Sequence, residues 1–599
     1  MRGRGDSEGA HDNSVSVASI TQVKSTATAA ATPLSRTASA LSYAILLGGI
    51  ATIAVTLHLV TVSYSSVPFW DGWTQIAAAA SGESPFSSAW LWRQHNEHRL
   101  PIQKLFLAVD LRLFHARQAF LLASILAVQF LHWILLSWSM RALGNWQGTL
   151  WRTGAGLAAF CLFCPSQFEN FVMGFQVCFV LPGLFATIAF ISLLLYWTDS
   201  QRKPGGQRSS KFLVVSILAA LGANYSLANG NLLWPLLVAA ALLLRLPLSA
   251  TLSFAVTGFV SIALYFHNYV RPPLHANLLA SLERAAAVLA YLTAYFGSSC
   301  IWKNVGAAEM IGGAGLLIAA VAVVRVPSLV RARRRFAVQL VLTIAFCVAS
   351  ALVTATIRLN FGVTQAFASR YQVFALLFWC CLGLLLLGSD WLTAKPSAFL
   401  VAQVCMLVIF GWGAHKARGP IYTGRSRGFD QNVAGTALLT GAIDRAQLSK
   451  VYPEADYVLD LAPYMREHRL SVFSTALSSQ LGKPLDSIFP TSENDCTGVL
   501  ESAVPVEGTG PGAVRISGWA YDGKRRREPL EVVGTRDGII SGLAAVGERR
   551  PAIRAANPWL RSSYVGFAGY ILEAQSPAPL KFYAILDSRP PVACYFAAK

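Results

Sequence analysis

The chain has 599 residues, of which 54% are apolar and only 13% charged, and it carries a formal charge of +19. Such a composition excludes a disordered chain and an ordinary soluble multidomain enzyme, and it points to a membrane-embedded body. The positive excess lies mostly before residue 413, scattered between apolar runs rather than gathered on one polar surface, which speaks against nucleic-acid binding and makes the charge topological information.

Residues 1–42, rich in Ser, Thr and Ala, read as a disordered cytoplasmic tail. A bilayer core needs about 20 mostly apolar residues per helix. Eleven such runs are expected, near 43–62, 118–140, 149–164, 175–197, 212–224, 231–247, 250–267, 307–324, 337–356, 371–388 and 397–413. The first reads as a signal anchor, because a cleaved signal has a shorter charged leader and a shorter apolar core. Cytoplasmic loops are enriched in Lys and Arg. The connection from Arg202 to Lys211 and the cluster Arg331, Arg333, Arg334 and Arg335 therefore belong inside, which puts the N-terminus inside and the residues beyond 413 outside. The stretch 277–298 is apolar enough to span, but a crossing there would carry the 331–335 cluster outside, so an interfacial or re-entrant helix is expected.

Residues 414–493 read as a mixed connector with helical pattern at 435–448 and 453–470. Beyond 494, short apolar runs at 513–520, 530–533, 538–543, 563–572 and 580–586 stand between Gly, Pro and Asp turns, the signature of strands, and predict an all-β sandwich-like domain over 494–599. Eight of the ten cysteines fall in or beside the apolar runs, where a thiol behaves as a small apolar group. Cys161 and Cys164 form a CxxC without a second pair, a weak sign of metal or redox chemistry. Cys496 and Cys594 stand alone in the polar tail, near its first and last strands, and outside the cytoplasm a disulfide is expected to close the domain there. Trp519 and Trp559 either stack on a sugar ring or fill the core.

Polar chemistry gathers in the turns expected outside. The loop 63–117 carries Phe69-Trp70-Asp71-Gly72-Trp73, the run Gln94-His95-Asn96-Glu97-His98-Arg99, and four acids, Asp71, Glu83, Glu97 and Asp110. Three further turns are polar: 165–176 with Glu169, 224–231 with Asn229, and 358–372 with Arg358, Arg370 and Tyr371. Charged groups near hydrocarbon are costly and usually face a cavity. Acids, imidazoles, amides and arginines on one face are the inventory for activating a hydroxyl and holding a phosphate: a carboxylate accepts the proton of an attacking alcohol, and arginine offers a planar fork of donors. Competing readings stay open. Asp71 is either a base or a helix N-cap, with Trp70 and Trp73 as interfacial anchors. Glu169 either orients a substrate hydroxyl or caps the next span. Arg370 either binds phosphate or anchors at the interface. His95, Glu97 and His98 suit a divalent ion, though a further ligand is not evident.

A many-spanning body, a long first external loop with an acid soon after the first span, and a C-terminal extracytoplasmic domain together resemble the GT-C superfamily of glycosyltransferases, over roughly residues 40–413 and by architecture more than by extended sequence. The resemblance implies transfer of a sugar from a polyprenyl-phosphate carrier to a glycan or lipid acceptor outside the membrane, with Asp71 as base and Glu97 as second candidate. It further implies carrier-phosphate contacts from Arg358 and from Ser369-Arg370-Tyr371, beside which the substrate-binding set is His95, Asn96, His98, Arg99, Glu169 and Asn229. The first loop has no DxD and no paired Asp-Asp or Asp-Glu, so no cofactor is fixed and a divalent metal stays an open alternative. The lipid bilayer is the other expected partner, and the expected location is a bacterial inner membrane with the C-terminal domain periplasmic. A transporter or flippase would place ionisable groups near mid-span and show internal repeats, which are not found in the sequence. A polysaccharide polymerase or ligase is not separated from the transferase at this level, and a non-catalytic anchoring protein would need no clustered polar turns.

Overall fold

The computed structural model describes residues 33–202, 210–272, 283–301, 304–329, 334–492, 495–508, 512–572 and 578–597. Eight helices are long and apolar enough to cross a membrane: Ser35–Ser63, Ala119–Ala142, Gly174–Gln201, Leu248–Phe266, Val305–Arg325, Arg334–Phe361, Ser369–Leu387 and Pro396–Thr440. Three other expected runs form shorter helices, Gly148–Leu162, Ser210–Asn224 and Leu233–Leu243. Residues 277–282 lie outside the described residues, and the rest of the stretch 277–298 yields the 13-residue helix Ala285–Gly297. It pairs with Val305–Leu329 so closely that a Cβ on Gly312 would stand 1.8 Å from the Thr293 carbonyl oxygen.

The tail expected over 1–42 is helical from Pro33, because the Ala- and Ser-rich segment continues without a break into the apolar run to Ser63. Residues 1–32 lie outside the described residues, as do 203–209 and 331–333 of the two basic connections. The remaining basic groups of one bundle end are engaged locally: Arg152 donates to the Ser42 hydroxyl at 2.9 Å and covers the Tyr43 ring, and Arg335 donates to Thr198. The polar turns occupy the other end.

The connector's first helix starts at Arg418 rather than at 435, running on from Pro396–Lys416 through Ala417 and ending at Thr440. Gly424 and Gly428, one turn apart, permit this: a Cβ would stand 2.5 Å from the Ser63 hydroxyl and 2.6 Å from the Ser63 carbonyl oxygen respectively. Gly441, in the left-handed region at φ +71, ends the helix. Asp444 then caps a new one, Arg445–Leu448, by accepting the Gln447 N–H, which splits the helix expected over 435–448.

The C-terminal strands are β1 (Ala442–Ile443), β2 (Thr491–Ser492), β3 (Cys496–Gly508), β4 (Ala513–Asp522), β5 (Glu531–Arg536), β6 (Ile539–Glu548), β7 (Gly566–Leu572), β8 (Lys581–Leu586) and β9 (Val592–Phe596). They form one sheet in the order β1-β3-β4-β7-β6-β5-β8-β9-β2. A disulfide joins Cys496 of β3 to Cys594 of β9, so the sheet curls until its two outer long strands meet. Side chains alternate across it. Ile516, Val532, Phe567, Phe582 and Phe596 pack inside the curl. On the outside Leu543, Tyr570 and Ile585 pack against Val433 and Leu438 of helix Arg418–Thr440, Met465 of helix Ala455–Glu467, and Trp73 and Ile76 of the first loop. Helices and the first loop, rather than a second sheet, cover that face. Trp519 joins a small cluster with Tyr521, Leu560 and Val565, while Trp559 meets Tyr521 edge-on and is 43% exposed.

Asp110, in helix Pro101–Phe114, is fully buried. Burial pushes its carboxyl up to about 7, against the downward pull of the Gln118 N–H and the Gln75 side chain. A carboxyl that holds its proton only when folded withdraws stability as pH rises from its unfolded value toward 7. Asp110→Asn is therefore expected to raise stability at pH 8 by roughly 2–4 kcal/mol and to change little at pH 4, as read by thermal denaturation of the detergent-solubilised protein.

Candidate functional site

Trp70-Asp71-Gly72-Trp73 folds as a single 3-10 turn. Trp70 takes a positive φ of 48 and its N–H donates to the Val451 carbonyl. Trp73 is fully buried against the β unit while Trp70 is 48% exposed, so the two tryptophans are not a matched pair of interfacial anchors. The helix starts here carry no side-chain cap; the Asp71 carboxylate instead lies 3.4 Å from His95 Nε2 and keeps 42% of its surface exposed.

His95 and His98 exchange backbone hydrogen bonds, closing a tight turn whose corner, Asn96, adopts φ +48, a conformation Asn tolerates well. The turn is fastened to the end of helix Leu248–Phe266. Gln94 bonds the Val270 backbone, and Arg99 donates to the carbonyls of Tyr265, Trp92 and His267. With its guanidinium spent on main-chain oxygens and the residue only 6% exposed, Arg99 is a clamp rather than the substrate-binding group expected of it. Glu97 pairs with Arg358, and His98 Nε2 lies 3.4 Å from the same carboxylate oxygen. Burial alone would raise the Glu97 carboxyl, but the hydrogen bond and charge of His98 and the charge of Arg358 outweigh it and hold the group well below the usual carboxylate range.

A second carboxylate organises the other half. Glu169 accepts the Arg370 backbone N–H at 3.3 Å, and its own N–H donates to the Ser369 hydroxyl, while Asn170 donates to the Arg370 carbonyl. Glu169 thus holds the turn Ser369–Tyr371, which precedes a later helix rather than the next one, and it also faces two guanidiniums. Arg370 Nη1 lies 3.9 Å and Arg427 Nη2 3.6 Å from its oxygens. Arg427, on helix Arg418–Thr440, stands over the Phe69 and Phe168 rings.

The halves face one another. Asp71 lies within electrostatic reach of Arg370, and Tyr291 within reach of both Arg358 and Arg370. Tyr371 lies under the Arg370 guanidinium and stacks on Tyr295. The hydroxyls of Tyr291 and Tyr295 and Nη1 of Arg427, three donors, are buried without a hydrogen-bond partner, as is Nδ1 of His98.

No protein-family model matches the chain, and no curated protein is significantly similar to it.

Asp71, His95, Glu97, His98, Glu169, Arg358, Arg370 and Tyr371 are therefore gathered at one place, with Asn96 at the adjoining turn. Asn229 is not gathered there: it is buried, and its amide points to the Ser350 carbonyl, two turns inside helix Arg334–Arg358. Sequence reasoning missed Arg427, Tyr291 and Tyr295. Arg427, like Arg370, is a basic residue in a segment expected outside, where such residues are disfavoured, and that signal could have found it. Among the described residues no three His, Cys, Asp or Glu side chains form a group able to hold a metal ion.

Breaking a buried pair leaves an uncompensated charge. Glu97→Ala and Arg358→Ala are each expected to destabilise the protein by about 3–5 kcal/mol. The double variant should fall short of their sum by about 0.5–3 kcal/mol in a double-mutant cycle read by chemical denaturation.

Proposed function

We propose that the chain is a membrane glycosyltransferase of GT-C-like architecture that moves a sugar from a polyprenyl-phosphate carrier to an envelope acceptor. In this reading eleven helices cross the bilayer, the eight long ones with Gly148–Leu162, Ser210–Asn224 and Leu233–Leu243. The N-terminus is cytoplasmic, and the polar turns and the β unit lie on the outer, periplasmic side of a bacterial inner membrane. The observation that carries the proposal is an exposed carboxylate, Asp71, beside His95 and within electrostatic reach of Arg370, with Arg427 sharing the Glu169 partner of Arg370 and Arg358 paired to Glu97 on the neighbouring turn.

Asp71 is the base. It is the exposed acid of the group, and His95 orients it. The acceptor hydroxyl gives its proton to Asp71 while its oxygen bonds the anomeric carbon from the face opposite the carrier. The bond from that carbon to the phosphate oxygen breaks, and its electron pair leaves with the carrier phosphate, inverting the anomeric centre. Arg370, Arg427 and Arg358 hold the departing charge where water is partly excluded, with the Tyr291 and Tyr295 hydroxyls as further donors. Glu97 is too firmly held as an anion by Arg358 and His98 to serve as a base near neutral pH, and like Glu169 it fixes the guanidiniums.

In proteoliposomes supplied with a polyprenyl-phosphate sugar and membrane acceptors, Asp71→Asn is expected to lower kcat by about 10²- to 10⁴-fold, and Arg370→Ala to raise KM and lower kcat together. A normally folded Asp71→Asn protein turning over at the wild-type rate would remove the base. Sidedness has its own check: Ser84→Cys and Ser449→Cys, both at exposed positions, should react with a membrane-impermeant maleimide from the periplasmic face.

A further inference from the structure

Two contiguous depressions lie on the flank of the β unit, away from the carboxylate cluster, and share Arg549. One, of about 390 Å³, opens between helix Arg418–Thr440 and strands β4, β6 and β7, with Tyr422, Ser426, Lys450, Arg515, Arg550 and Tyr564 on its walls. The other, of about 410 Å³, continues past Arg549 to Arg554 and Ser563. Either alone is of ligand size, since such sites span about 300–1,000 Å³. Together they form a groove suited to a chain rather than to a single headgroup.

The lining combines three chemistries. Lys450, Arg550 and Arg515 are cations already paired, with Asp430 at 2.7 Å, Glu548 at 3.0 Å and Asp444 at 2.9 Å. Arg549 and Arg554 have no carboxylate partner among the described residues, so the groove keeps a net positive charge and two guanidiniums free for a planar carboxylate. Nε of Arg550 is buried and has no acceptor. The carboxylates of Asp430 and Glu548 and the hydroxyls of Ser426 and Ser517 suit sugar hydroxyls while opposing a dianionic phosphate. Tyr422 is 46% exposed, with Arg549 5.6 Å from its ring centroid, and adds aromatic surface for the C–H side of a pyranose beside that guanidinium. Tyr422 also lies one turn beyond Pro396–Lys416, so the groove opens just past the last apolar helix.

We infer that this groove binds a linear acidic saccharide, a chain of carboxylated sugars, as the acceptor of the transfer. The acceptor role rests on the transferase reading above; the binding does not. The test is fluorescence anisotropy of labelled hexagalacturonate with the full-length protein in phosphatidylcholine nanodiscs. Hexagalacturonate should bind, and unlabelled maltohexaose should not compete. The Arg549→Ala/Arg554→Ala protein should bind at least about tenfold more weakly, and Arg549→Lys/Arg554→Lys should recover part of the loss. Absence of binding, an unchanged affinity in the double alanine variant, or equal competition by the neutral sugar would overturn the proposal. So would loss of sugar binding in nanodiscs containing phosphatidylglycerol, which would mark the groove as a lipid-headgroup site. Asp71→Asn should bind hexagalacturonate like the wild type. A dead transferase that still binds it separates failure of the transfer reading from failure of this one.

Discussion

A half-buried guanidinium needs a partner for its charge, and for three arginines of the polar turns and the helix beside them that partner is a carboxylate. Glu97 meets Arg358, and Glu169 meets Arg370 and Arg427. Each pair joins turns more than 190 residues apart in sequence, because the two acids lie early in the chain and the arginines late. The carboxylates therefore act as rivets between the first and last parts of the bundle. Asp71 is left outside this pairing, with an imidazole as its partner instead of a fixed cation.

The second constraint is steric. Helix Arg418–Thr440 reaches Ser63 only because positions 424 and 428 lack a side chain. Arg427, next to Gly428, is delivered by that approach to the rings of Phe69 and Phe168. Elsewhere along the same helix Val433 and Leu438 enter the core beneath the sheet, and Tyr422 and Ser426 line the flanking groove. One helix thus serves the charge cluster, the core of the β unit and the groove.

Much of the architecture is legible in the sequence, because run length and period-2 alternation are local properties. The long apolar helices, the five strand runs that became β4 to β8, and the pairing of the two polar-tail cysteines all follow from composition within short windows. The polar turns at 69–73, 94–99, 165–176 and 358–372 also stand out locally. What stays hidden depends on distant partners. Nothing near Arg99 announces that the carbonyls of Tyr265 and His267, from a distant segment, absorb its donors, and nothing near Asn229 says that it turns into the bundle. Arg427 sits in a polar helix without a motif, and its importance comes from Glu169, far away in the chain. The helical cover of the sheet's outer face is hidden for the same reason: alternation tells which side chains are buried, not what buries them.

Trp73 and Ile76 share their core with Val433, Met465, Leu543 and Tyr570. The loop that bears Asp71 is therefore mortared into the C-terminal half, and the two must travel as one rigid piece. Any widening of the cluster has to be yielded by the opposite wall, where Ala285–Gly297 and the 359–367 turns stand free of that masonry.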